Sequence, residues 1–465
     1  MASARTFVLS RRALTQGLGA LGLAGVLPAC RDKADDTGVP DTAGPAPEPA
    51  PDRAPEPAPW VPDLPEDTAR FAWGVAVGDP TSSGAVVGAY TTETAALSLV
   101  LMVADGEGWT AVSTTPDLWP GEGGAVQTTL SGLLPDTAYS LCFVTSDGAA
   151  RSPVARLRTA PAADASSRKI VFGATSCFGG NWPFPSVQYA ADERLDFFLL
   201  LGDTVYADGA ITTDDYRAEY QTNLSAAPMQ ALLSSTGVIA TWDDHEVDNN
   251  WSWEDVSVEQ FEAARAVYWE ALPQGRGAEG TLIWRKLSWG PDVDLFVLDC
   301  RGERKDGDYI SPAQMAWFKA GLSASTARFK IVLNSVPITD MTNWYGTTFA
   351  EDRWQGYAQR AEILEYIRDN AIQGVLWVSG DHHLGMINRV DVAGGAGEDQ
   401  WEVLTGPTGS RINVLGELLE LDDQYHLVVL AWNWTRFELD PHLGTCLVTF
   451  IGDDGGVLGE MSLAL

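Results

Sequence analysis

Between about residues 67 and 160 apolar and polar positions alternate in short runs: "RFAWGVAVGD", "GAVVGAYTT", "LSLVLMVAD", "AVQTTLSGL", "AYSLCFVTSDG" and "ARLRTAP". Clusters such as "DPTSSG", "ADGEG" and "LPDT" separate them. A two-residue alternation bounded by Gly, Pro, Asp and Ser predicts strands joined by turns. After "TAPAADASSRK" the pattern changes. "KIVFGATSC", "RLDFFLLLGD", "GVIATWDD", "DLFVLDCR", "FKIVLNSVP" and "GVLWVSGD" are almost continuously apolar, and amphipathic segments lie among them: "TTDDYRAEYQTNL", "SVEQFEAARAVYWEAL", "SPAQMAWFKAGLSAS" and "YAQRAEILEYIRDNAI". Strands apolar on both faces and interleaved with helices predict an α/β core whose sheet is covered on both sides.

The first block, with strands at regular intervals and no helical period, predicts a small β-sandwich of immunoglobulin-like type over 67–160. The second predicts the chemical domain over 168–465, closed by strands and a hairpin at the Asp-Gly turn of "GTCLVTFIGDDGGVLGEMSLAL". Two non-globular stretches precede them. Residues 31–66 are Pro-, Ala- and acid-rich with few large apolar side chains, which predicts a disordered tether. Residues 1–30 read as an export leader: Arg11 and Arg12 stand side by side before a Gly-rich, weakly apolar stretch from Leu14 to Leu27, too short and dilute to span a bilayer. Cys30 in "LPAC" resembles a lipoprotein cleavage box, with Pro28 an unusual neighbour in it; simple cleavage after small residues is the alternative.

Charge and cysteine content narrow the function. Thirty Lys and Arg against 63 Asp and Glu give a net charge of -33, which leaves no basic footprint for a polyphosphate backbone, so no nucleic-acid-binding surface is expected. Beyond Cys30, the cysteines Cys142, Cys177, Cys300 and Cys446 are too dispersed for a disulfide framework. Cys142, Cys300 and Cys446 fall in apolar runs and are expected to be buried.

The buried runs end on chemistry. "KIVFGATSC" ends on Cys177, "DFFLLLGD" on Asp203, "VIATWDDHE" on Asp243, Asp244 and His245, and "VLWVSGDHH" on Asp381, His382 and His383. Taken singly, each has an ordinary explanation: a Gly-Asp turn, an acidic helix start, a core cysteine. Together they place three of the chain's five histidines, a cysteine and several aspartates at strand ends, where ligands bind in open α/β sheets. Carboxylate, imidazole and thiolate suit a transition-metal site, and a carboxylate can bridge two ions.

In order and spacing, "GDTVYAD", "TWDDHEVDNN", "LDCRGER", "EDRWQGYAQR" and "SGDHH" resemble the alkaline phosphatase D (PhoD) family of metallophosphoesterases, with "FAWGVAVGDPTSSGAVVGAY" resembling its preceding β-domain. The resemblance implies an αββα metallophosphatase core and hydrolysis of phosphomonoesters or phosphodiesters with Fe(III) and Ca(II). It implies Cys177, Asp203 and Tyr206 around the iron, Asp203 bridging to calcium, and Asp244, Asp381 and His383 completing the metal cluster. His245 would stand over the substrate as a catalytic residue beside Asp203. Asp243 is a weaker ligand candidate, and Arg301 and Arg353 are candidates for orientation or, more simply, for structure. His382 departs from the family pattern, which has an apolar residue there. The expected partner is a small-molecule phosphate ester acted on outside the cytoplasm, in the periplasm, at the cell surface through a lipid anchor, or in the medium. The expected attack on phosphorus is by a metal-activated hydroxide. An alternative from another class is a surface lipoprotein that keeps the scaffold and only binds a ligand or cation.

Overall fold

The computed structural model describes residues 7–10, 48–277, 280–341, 353–419 and 421–465. Arg11, Arg12, the apolar leader stretch, Cys30 and tether residues 31–47 lie outside the described residues, as do Glu351 and Asp352 of "EDRWQGYAQR". No helix among the described residues is long and apolar enough to cross a membrane.

Two large sheets face each other. In one, the parallel strands Ile170–Thr175, Phe197–Leu201 and Val238–Thr241 lie side by side. In the other, Val293–Val297, Phe329–Asn334, Val375–Ser379 and Trp401–Leu404 are parallel neighbours. Alternation inside each apolar run explains why both faces are hydrophobic. Phe197, Leu199 and Leu201 point into the core between the sheets, together with Val293, Leu295, Val297, Phe329, Ile331 and Leu333. Phe198 and Leu200 point outward, under the helices Pro185–Ala191, Thr213–Leu224, Ala227–Ser235 and Val258–Ala271. Phe296 and Val332 likewise face Pro312–Ala324 and Ala358–Asp369 across the other sheet. Helices, sheet, sheet and helices therefore form the four expected layers, and each fully buried Leu or Phe contributes about 1.5–3 kcal/mol.

The C-terminal strands Asn433–Asp440, Thr445–Gly452 and Val457–Ala464 extend the first sheet from the edge of Ile170–Thr175, with a hairpin at Asp453–Gly456. In the second sheet Phe7–Ser10 pairs antiparallel with Tyr425–Leu430.

Two expectations need correction. The block over 67–160 does pack two sheets around a core of its own, but one of those sheets is not independent. Val75–Gly78, Gly84–Tyr90 and Ala125–Ser131 join the first large sheet, because Val75–Gly78 pairs in parallel with Val238–Thr241. The four strands Leu97–Asp105, Gly108–Leu118, Ala138–Val144 and Ala155–Arg158 cover this extension and share its core. A pairing between Gly78 and Val238, far apart in sequence, has no local signature. Nor do residues 48–66 stand away as a tether. They lack regular structure apart from a bridge between Glu66 and Arg151, yet they are pinned to the body. Ala50 N donates to Asp440, Arg53 pairs with Asp196 at 3.2 Å, Glu56 with Arg158 at 2.9 Å, and Arg151 with Glu66 at 2.8 Å. Charged hydrogen bonds hold here what apolar burial cannot.

Candidate metal centre

Each candidate side chain sits just beyond a strand end. Cys177 follows Ile170–Thr175, Asp203 and Tyr206 follow Phe197–Leu201, and Asp243, Asp244 and His245 follow Val238–Thr241. These strands are parallel neighbours, so their carboxyl ends share one rim. From the facing sheet Val375–Ser379 delivers Asp381 and His383, and Trp401–Leu404 leads into the loop with Ser410. "DDHEVD" forms a run of turns here and not a helix start.

The loops approach so closely that side chains are excluded between them. A Cβ on Gly202, whose φ is 92°, would fall 2.5 Å from Asp243 Cβ, and one on Gly380 would fall 2.7 Å from Ser176 Cβ. Four candidate ligands adopt the left-handed region: Cys177 (φ 59°), Asp203 (53°), Asp381 (62°) and His383 (57°). Such backbone costs about 1–3 kcal/mol per residue and persists only where the surroundings impose it. The surroundings are hydrogen bonds: Cys177 N donates to Gly202 O at 3.3 Å, while Cys177 O accepts from Gly409 N at 3.0 Å and Ser410 N at 2.9 Å. Glu246, wholly buried, accepts from Asp203 N (3.0 Å), Thr204 N (2.7 Å) and Asp243 N (2.9 Å) and so ties two strand ends together.

The donors gather in two overlapping groups. Cys177, Asp203 and His383 each offer an atom, all within 4.8 Å of one another, and so do Asp203, Asp244 and His245. Asp203 belongs to both, the place of a bridging carboxylate. Its Oδ2 accepts from Tyr206 OH at 3.2 Å, while Oδ1 is buried with no hydrogen-bond partner among the described residues. Tyr206 OH also lies 3.3 Å from His383 Nε2 and accepts a short hydrogen bond from Ser410 Oγ.

Burial, then repulsion from Asp244, Asp243, Glu246 and Asp381, pushes the Asp203 carboxyl far above the usual carboxylate range. Burial, then Asp203, raises the Cys177 thiol and the Tyr206 phenol as well. Burial lowers His383, against the pull of Asp381. Left to themselves the Asp203 carboxyl, the Cys177 thiol and the Tyr206 phenol would hold their protons; a bound cation reverses that balance by favouring the deprotonated donors. An orphaned buried carboxylate oxygen, a thiol, a phenol and imidazoles within reach of one another thus fit metal ions, with Cys177, Asp203, Tyr206, Asp244 and His383 close at hand.

Other candidates are placed differently. Asp381 belongs to neither close group and is paired by Arg353 Nη2 at 3.2 Å, although it is near enough to raise Cys177 and Asp203. Asp243 is held by the fully buried Arg301, with Nε to Oδ1 at 2.7 Å and Nη2 to Oδ2 at 3.2 Å, and accepts from Ser335 Oγ at 2.9 Å. Arg301 is thus a structural counter-ion. His382 is buried and lies outside both donor groups. His245 Nδ1 lies 2.7 Å from Asp208 Oδ1, and its ring stacks on Tyr206 with centroids 3.8 Å apart.

Glu246, Asp208 and Ser410 are absent from the sequence-derived set. Glu246 sits in plain view in "DDHE", and Asp208 ends "GDTVYAD"; no sequence signal links Ser410, some two hundred positions downstream, to Tyr206.

Facing sheets between helical layers, with these donors gathered at one strand-end rim, define a protein of the metallophosphatase type. The family model of PhoD-like phosphatases matches residues 172–428, more than half of the sequence, and the chain belongs to that family. It is 26% identical over 326 residues to alkaline phosphatase D of Bacillus subtilis (strain 168), covering 58% of this chain and 54% of that protein. The chain therefore spans about half the length of this curated relative. A solved structure of PhoD superposes with a TM-score of 0.73 at 22% identity, over 86% of this chain and 90% of that one. A purple acid phosphatase from yellow lupin (Lupinus luteus) seeds gives 0.61 at 12% identity, over 84% and 74%. Both likenesses establish the fold.

Proposed function

We propose that the chain is an exported, metal-dependent phosphoesterase acting on phosphomonoesters, phosphodiesters or both. Asp203 carries this reading: one buried carboxylate is shared by two donor groups, with an oxygen that nothing in the described chain satisfies. Cys177, Tyr206 and His383 together with the shared Asp203 would hold Fe(III), and Asp203 and Asp244, with Asp381 nearby, would hold Ca(II). When bound, the ions supply the charge that polarises phosphoryl oxygens and lowers the pKa of an attacking water. The chain's own residues set the geometry. Glu246 locks the loop of Asp203, Arg301 neutralises Asp243, and His245 stands beside Asp203 and Asp244 where its remaining ring nitrogen can meet a leaving oxygen.

The alternative of a ligand-binding scaffold is not favoured, since that role would not require thiol, phenol, imidazole and bridging carboxylate to stay together. Arg11, Arg12, the apolar stretch after them and Cys30 support export by the twin-arginine route, with a lipid anchor where Cys30 is processed.

The test is hydrolysis of p-nitrophenyl phosphate and its bis-ester at matched concentration, with elemental analysis of the same sample. Turnover of either ester by metal-containing protein upholds the reading and ranks the two bonds. Protein inactive on both after iron and calcium are supplied refutes it.

A further inference from the structure

We propose that Trp182, Ile211, Val414, Leu415 and Leu418 form an apolar rim at the metal centre that receives an alkyl chain, so that the preferred ester joins one phosphate to an alcohol bearing such a chain. This deepens the phosphoesterase reading above and rests on it. Single exposed apolar side chains are ordinary on any surface; several gathered around one site are not. All five are between 47 and 73% exposed. Each stands on a segment that carries a candidate ligand or is hydrogen-bonded to one.

The loop after Cys177 brings in Trp182. A Cβ on Gly179 would fall 2.8 Å from the Tyr206 ring, and Asn181 N donates to Gly409 O at 2.8 Å, beside Ser410. Trp182 Nε1 donates to Thr222 O at 3.1 Å, so the polar edge of the indole is already paired and its apolar face is what remains to offer. Ile211 ends the segment that runs on from Asp203 and Tyr206, which Ala207 N fastens to His245 O at 2.9 Å. The third contributor is the 3₁₀ turn Val414–Leu418. Asn413 anchors it: its N donates to His383 O at 2.9 Å and its Nδ2 to His382 O at 3.2 Å. Gly416 is the buried residue of this turn, where a Cβ would fall 2.5 Å from Leu430 Cδ2. A turn seated on that glycine holds Val414, Leu415 and Leu418 toward solvent.

At the opposite rim, by the amino ends of the same strands, the surface is charged: Asp52, Lys169, Glu193, Arg194, Arg436 and Glu438 line it. The two rims differ in kind, and stability gives no reason for the apolar one, because side chains left in water contribute no burial. Charge points the same way. At a net charge of -33 the chain repels a polyanionic ester, whereas a single phosphate on an uncharged chain brings apolar surface to the rim with little added charge. Ile211, Val414, Leu415 and Leu418 are aliphatic, which suits a flexible alkyl chain lying across the loops better than a lone ring that needs a stacking partner.

The experiment measures phosphate release from butyl and octyl phosphate, both below their critical micelle concentrations, with metal content measured on each sample. It compares the metal-containing wild type with the Leu415→Ser/Leu418→Ser double variant, Trp182→Ala and the control Leu443→Ser. Leu443 is also exposed but stands on the turn between Asn433–Asp440 and Thr445–Gly452, by the amino ends of the strands. We expect wild-type kcat/KM to rise about 10-fold from butyl to octyl, as partial burial of the added methylenes supplies. The double variant should keep its metal and bring the octyl-to-butyl ratio down to about 2, with Trp182→Ala between the two; Leu443→Ser should keep the wild-type ratio. Equal wild-type kcat/KM on both esters, or an unchanged ratio in the double variant and in Trp182→Ala, overturns the proposal and leaves the phosphoesterase reading standing. A rise that appears only above the critical micelle concentration assigns the rim to an aggregated lipid surface and likewise overturns it. Wild-type enzyme that hydrolyses neither ester, nor p-nitrophenyl phosphate, overturns the phosphoesterase reading and this proposal with it.

Discussion

The strand Phe197–Leu201 has a buried aspartate beyond each end, and the chain treats the two in opposite ways. At the amino end, Asp196 accepts from Arg168 at 2.8 and 3.1 Å, from Arg53 at 3.2 Å and from Val171 N at 2.9 Å. Burial alone would raise its carboxyl, but Arg168 and Arg53 overcome this and hold it below the usual carboxylate range. At the carboxyl end, Asp203 is equally buried, at 2% exposure, yet among the described residues no Lys or Arg pairs with it. Its neighbours are carboxylates, and its pKa moves the other way. A buried carboxylate matched by the chain's own cations is architecture; one surrounded by further carboxylates is built for a charge that comes from outside.

Substitutions at the two ends should separate accordingly. The largest effect is expected for Asp203→Asn, about 10⁴-fold in kcat/KM, or about 5 kcal/mol of transition-state stabilisation, read from phosphatase kinetics. Thermal unfolding of the metal-free variant should show no loss of stability, because a buried unpaired acid is replaced by a neutral amide. Asp196→Asn reverses the pattern: unfolding in urea should show a loss of about 3 kcal/mol as Arg168 and Arg53 lose the carboxylate they share, keeping only Asp136 and Glu56, while the folded fraction keeps wild-type turnover and metal.

Acid should expose the same asymmetry. The folded pKa of Asp196 lies below its unfolded value of about 3.9, so its contribution is complete above that value and is lost as pH falls through the lowered one. Stability measured from pH 7 down to below about 4 should drop more steeply for wild type than for Asp196→Asn; parallel curves would remove Asp196 from the acid response. The smallest effect is expected at the edge of the arginine cluster. Glu56 bridges the extended N-terminal segment to Arg156 at 3.1 Å and Arg158 at 2.9 Å, and Glu56→Gln should cost about 1 kcal/mol by thermal unfolding, without change in activity.

The carboxyl-end site was legible in sequence because short runs apolar on both faces and bounded by turn residues read as buried strands, and ligands bind beyond the carboxyl ends of such strands. Cys177, Asp203, Asp244, His245, Asp381 and His383 were singled out this way, and the family resemblance implied metals around Cys177, Asp203, Tyr206, Asp244, Asp381 and His383 and a substrate under His245. The amino end was not legible. Asp196 in "RLDFF" resembles any turn residue, and its partners lie far from it in sequence, Arg53 in the stretch read as a tether and Arg168 at the first position of the chemical domain. Strand Gly108–Leu118 escaped notice because its positions are nearly all exposed or half-exposed, so no alternation marks it. Helix Pro185–Ala191 has no side-chain cap at its start. The junction of Val75–Gly78 with Val238–Thr241 is a matter of tertiary register.

The most direct test of the central claim is elemental analysis of purified wild-type protein beside Asp203→Asn. Iron and calcium bound in the wild type and lost from a variant that still folds would be the predicted result. A variant that keeps the wild-type metal content and hydrolyses phosphate esters at the wild-type rate would contradict the account.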